Sequence, residues 1–95
     1  MFRTTTSMIR MNTPEQVGRL LSEITSEAIK HAGLSQRATS ESTGIPLVTL
    51  SRRLTGRSAF TVPEIAAIAR ASGVSVVELF LRVERAQSAS TPPAT

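Results

Sequence analysis

Apolar residues recur through the middle of the chain at helical spacing. Val17, Leu20, Leu21, Ile24, Ala28 and Ala32 form one stripe at steps of three and four, the pattern of a helix that buries a single face. Thr13-Pro14-Glu15-Gln16 announces it. Thr13 suits the N-cap, Pro14 the first helical position, and Gln16 the closing residue of a capping box. Gly33 is the natural stop.

Similar punctuation then repeats. Ser35 caps a short second helix running to about Thr43 and ended by Gly44; Ile45-Pro46 opens a third, which ends near Gly56. Thr61-Val62-Pro63-Glu64 is a further capping box, opening a fourth helix along Val62, Ile65, Ile68 and Ala69 that stops at Gly73. Ser75-Val76-Val77-Glu78 repeats the device for a fifth, with Val76, Leu79, Phe80 and Val83 inward. No alternating apolar pattern bounded by hairpin turns is present, so strands are not expected. The reading is an all-α, compact five-helix domain over residues 13–86. Residues 1–12, rich in Thr and Met, read as a flexible arm carrying Arg3 and Arg10, and the polar, proline-bearing residues 87–95 as a disordered tail. The fifth helix also holds more apolar residues than one stripe needs, which leaves an apolar edge for a protein contact.

Composition narrows the chemistry. The 95 residues contain no cysteine and a single histidine, His31, so a disulfide framework, a thiol nucleophile and a His-rich metal site are all excluded. Glu27 and His31 stand one turn apart, but two ligands do not make a site. One small core rarely encloses a catalytic pocket, and neither an enzyme nor a cofactor nor a small-molecule ligand is expected. No apolar run approaches a membrane span, and the N-terminus lacks the apolar stretch of a secretory signal. A soluble, cytoplasmic protein is expected, in a bacterium or a phage-infected host cell.

Charge points further. The net charge is +4, and ten of the eleven cations are Arg while all seven acids are Glu. No acid occurs between Pro46 and Pro63, where Arg52, Arg53 and Arg57 lie, whereas the first helix is slightly acidic. Cations are thus concentrated on residues 34–58, a short helix, a glycine turn and a second short helix. That is the helix-turn-helix, whose second helix enters the DNA major groove. Ser40 is small where the two helices cross, Gly44 supplies the left-handed turn residue, and Ile45, Leu50 and Leu54 anchor the second helix. On a helical wheel Val48, Ser51, Arg52 and Thr55 share the face opposite Leu50, while Leu47 and Arg53 flank the buried side.

Residues from about 15 to 81 resemble the Cro/lambda-repressor-like helix-turn-helix family. The matching pieces are Gly33-Leu34-Ser35-Gln36, Gly44-Ile45, Thr49-Leu50-Ser51-Arg52, Leu54-Thr55-Gly56-Arg57, and Ile65 through to Gly73-Val74-Ser75-Val76-Val77-Glu78-Leu79. The resemblance implies that Gln36 holds a DNA phosphate and that Leu47, Val48, Ser51 and Arg52 read bases. It further implies backbone contacts from the following loop, at Thr55, Arg57 and Ser58, and Thr49 and Arg53 join that backbone set. The chain departs from the family at Thr39 and Thr43, where aliphatics are usual, and at Leu47 and Val48, where Gln or Asn is common. Aliphatic readers favour thymine methyl groups, and Leu47 is divided between core and groove.

The function implied is a sequence-specific transcriptional regulator, a phage or prophage-type repressor that acts by covering a promoter and binds double-stranded DNA as a homodimer. An antitoxin-type autoregulator has the same fold. A protein-interaction module on the same scaffold is the alternative from another class, and the acid-free basic face is the feature that such a module has no reason to keep.

Overall fold

The computed structural model describes residues 13–90 and contains five α-helices in sequence. They are α1 (Pro14–His31), α2 (Gln36–Thr43), α3 (Leu47–Leu54), α4 (Val62–Ser72) and α5 (Val76–Ser90). The arm with Arg3 and Arg10 and residues 91–95 lie outside the described residues. Among the described residues no helix is long and apolar enough to cross a membrane.

Caps made from nearby residues set the helix starts. The Thr13 side chain accepts from the Gln16 N–H, and Ser35 from the Ala38 N–H. Thr61 and Glu64 close a full capping box, each side chain accepting from the other's backbone N–H. The two other expected boxes are half-made. Gln16 leaves its Oε1 buried without a partner, and Glu78 turns its carboxylate to Arg82 and Arg85 while Ser75 caps its N–H. Gly33, Gly44, Gly56 and Gly73 all have positive φ, the conformation in which glycine ends a helix at least cost.

Around α1 pack α3, α4 and α5, and α2 lies against α3 and α4. Two apolar clusters result. Ala28, Ile65, Ala69 and Leu79 form one, and Ile29, Ile45, Leu50 and Ile68 the other, with Phe60 packed against both. The buried line of α1 is Ser22, Thr25, Ala28 and Ile29, so it is rotated from the apolar stripe, and Ala32 is exposed. Val62 and Phe80, expected inside, are 68% and 41% exposed. Val62 opens α4 ahead of the turn that meets the core, and Phe80 shares the outer face of α5 with Val77 and Leu81. Finally, α5 runs to Ser90 rather than ending at residue 86. Nothing in the sequence from Gln87 to Ser90 breaks a helix.

Candidate nucleic-acid interface

Hydroxyl groups shape the turn between α2 and α3. Ser40 donates to the Ile45 carbonyl, and Thr43 accepts from the Ile45 N–H at 3.2 Å. Thr39 is fully buried and donates back to the Ser35 carbonyl at 2.8 Å, as Thr43 does to that of Thr39 at 2.7 Å. The threonines that replace the family's aliphatics are therefore satisfied within α2, and the helix packs with them in place. Ile45 and Leu50 are buried and Leu54 half-buried, which holds α3 by one face.

The other face of α3 is open. Leu47, Val48, Ser51 and Arg52 line a concavity of about 600 Å³ together with Gln36 and Arg37 from the start of α2 and Arg57 from the following loop. Val48 is 72% exposed and Leu47 37%, and Leu47 lines the concavity without joining either core cluster. No carboxylate lines this surface. Among the described helices α3 alone begins without a side-chain cap, at Pro46, and its first N–H groups carry no capping oxygen. A helix N-terminus in that state favours acceptor oxygens and negative charge.

Arg37 was not singled out from the sequence. Its signal was its place next to Gln36 in the first turn of α2, which brings both side chains to the same rim.

The remaining candidates lie off the concavity. Thr49 is half-buried. Thr55 is exposed, with its hydroxyl donated back to the Ser51 and Arg52 carbonyls at 3.0 and 3.2 Å. Ser58 accepts from Arg53 Nη1 at 2.7 Å. Arg53, expected on the DNA backbone, is turned inward: Nε and Nη2 donate to Glu64 Oε1 and Oε2 at 2.8 and 3.1 Å. It sits on the flank of α3 that faces the start of α4, where the capping box already presents the Glu64 carboxylate. Chiefly this bond keeps the Arg53 pKa raised and that of Glu64 lowered, with the Thr61 N–H assisting on Glu64 against the cost of burial.

The loop bearing Arg57 is closed by the backbone. With Gly56 left-handed at φ 81°, the Arg57 N–H reaches the Arg52 carbonyl at 2.9 Å and the Gly56 N–H that of Arg53 at 3.1 Å. This is a Schellman closure, and it leaves the Arg57 side chain on the rim. Among the described residues no group of three or more His, Cys, Asp or Glu is arranged to hold a metal ion.

Comparison with known proteins bears on the fold that carries this surface. Residues 26–79 match the family model described as helix-turn-helix. The fold resembles the crystal structure of the clp gene regulator ClgR from Corynebacterium glutamicum, with a TM-score of 0.71 at 18% identity over 78% of this chain and 79% of that one. No sequence among curated proteins matches the chain.

Proposed function

The chain belongs to the Cro/lambda-repressor-like helix-turn-helix family, and from this we propose that it is a sequence-specific transcriptional regulator that binds duplex DNA through the major groove. The carrying observation is the acid-free concavity that joins the start of α2, the outer face of α3 and Arg57. In this reading α3 enters the groove. Val48 and Leu47 lie against thymine methyl groups, Arg52 donates to the O6 and N7 acceptors of guanine, and Ser51 reaches an adjacent base edge. Gln36, Arg37 and Arg57 hold phosphates on either side. Thr49, Thr55 and Ser58 are further candidates for the backbone, and Arg53 contributes by holding the loop to α4.

Regulation is by occlusion: a bound phage-type repressor covers a promoter element and excludes polymerase. The protein binds a two-fold symmetric site as a homodimer, because one recognition helix spans only a few base pairs.

Salt-titrated binding tests the reading. If three to five phosphates are neutralised per protomer, each protomer contributes roughly −2.7 to −4.5 to the slope of log affinity against log salt, at about −0.9 per phosphate, and a bound dimer about twice that. Footprinting upstream of its own gene should show a symmetric protected site. Salt-independent binding, or no retention of DNA at low salt, excludes it.

A further inference from the structure

The first turns of α1 and the loop after α3 enclose a second groove, of about 380 Å³, lined by Glu15, Gly18, Arg19, Gly56, Arg57 and Ser58 among others. Arg57 lines this groove and the α3 concavity alike, so the two surfaces are continuous across one side chain. Their relative placement is fixed from below. The Ser22 hydroxyl donates to the Arg53 carbonyl at 2.8 Å, which pins α1 against the end of α3. Gly18 and Arg19 lie one turn earlier on α1, alongside the loop.

Two features of this groove have no use within the fold. Arg19 is exposed, and among the described residues neither it nor Arg57 is paired with a carboxylate; the ion pairs formed are those of Arg53 with Glu64 and of Arg82 and Arg85 with Glu78. Gly18 stands inside a helix, where glycine is among the poorest formers, yet a Cβ there would meet no atom within 4 Å. Packing does not require a glycine at this position. The missing side chain leaves the helix backbone open to close approach from the groove. Glu15 is the one acid on the groove, and it belongs to the first turn of α1, where a carboxylate offsets the helix dipole. Two guanidinium groups outweigh it.

We propose that this groove seats a second stretch of the DNA backbone, with Arg19 as a phosphate-binding residue and Gly18 as the point of closest approach. The footprint then extends from α2 and α3 across Arg57 onto α1. This inference rests on the DNA-binding reading above, and it assigns to α1 a contact surface that the helix-turn-helix itself does not include.

The test uses the full chain and a random-sequence duplex, followed by fluorescence anisotropy across a salt series. Arg19→Gln should lower the salt slope by about 0.9 for each bound protomer, the share of one phosphate. Gly18→Gln should raise the melting temperature, because glutamine is the better helix former, while weakening DNA binding; that opposition separates a contact from a folding effect. Arg70→Gln is the matched control, an exposed arginine on the concavity between α2 and α4, and should leave the slope unchanged. Inorganic phosphate at constant ionic strength should not displace the duplex; displacement would identify a free-anion site and overturn the proposal. An unchanged slope for Arg19→Gln, or an equal drop for Arg70→Gln, also overturns it. If Arg57→Ala still lowers the slope in that case, the DNA-binding reading stands and only the α1 surface is lost. A wild-type protein without salt-dependent binding removes both.

Discussion

Glu64 ties the last turn of α3 to the first turn of α4 through a fork onto Arg53, with Nε–Oε1 at 2.8 Å and Nη2–Oε2 at 3.1 Å. The same Oε1 accepts the Thr61 N–H at 2.9 Å. One carboxylate therefore caps α4 and fixes the end of α3.

The fork makes stability depend on pH in a defined direction. The Arg53 bond, with the Thr61 N–H, holds the native Glu64 pKa below its ordinary value. A depressed carboxylate contributes stability that is complete above the unfolded pKa, about 4.3, and is lost as pH falls through the native value. Melting temperatures from pH 3 to 7 should show wild type above Glu64→Gln at neutral pH, with the gap closing on acidification below about pH 4. A gap that is constant with pH would mean that the carboxylate charge contributes nothing.

Arg52 and Arg57 should separate base reading from anchoring. Arg52→Ala should cost about 1–3 kcal/mol on the true operator and flatten the preference at one base pair. Arg57→Ala should weaken operator and random DNA alike and reduce the salt slope by about one unit. Gln36→Ala should resemble Arg57→Ala without the change in slope, since an amide displaces no counterion. Competition binding on single-base operator variants checks all three, and a relaxed preference for Arg57→Ala would reverse the assignment.

Thr25 carries a stability prediction of opposite sign. It is fully buried and its hydroxyl has no hydrogen-bond partner. An unsatisfied buried polar group costs about 1–3 kcal/mol, and valine has nearly the same shape. Thr25→Val should raise stability by roughly 1 kcal/mol in chemical denaturation. A loss would show that the hydroxyl is solvated.

The outer face of α5 tests the proposed homodimer. Val77, Phe80 and Leu81 are 63%, 41% and 41% exposed at one-turn spacing, an apolar edge where a second copy can dock. Leu81→Glu should convert a dimer to a monomer in analytical ultracentrifugation with the melting temperature of the protomer little changed. A wild-type mass of one chain both free and on operator DNA would refute the dimer.

Helix starts and stops were legible because they are local. Thr13, Ser35, Thr61 and Ser75 act within one turn of their partners, and four glycines end helices by their own φ. What escaped depended on partners distant in sequence. Arg53 was expected on the DNA backbone from the flank of the buried side, and Glu64, eleven residues on, claims it. Phe60 sits in a connection without periodicity, yet it packs on both core clusters. Arg37 gained its place only when the crossing of α2 and α3 brought it to the rim of the concavity. The rotation of α1 was hidden because Ser22 and Thr25 are polar and buried nonetheless.

The closure at Gly56 has a consequence for how this scaffold can change its target. The end of α3 is secured by backbone groups of Arg52, Arg53, Gly56 and Arg57, and its position by Leu50, the Arg53–Glu64 fork and the Ser22 hydroxyl. None of these uses the side chains of Leu47, Val48, Ser51 or Arg52. Those four positions are thus nearly free of structural duty, and side chains grafted there from another recognition helix should redirect the protein to a new operator without a matching search for stabilising substitutions. On the proposed reading, specificity is a replaceable surface on a fixed frame.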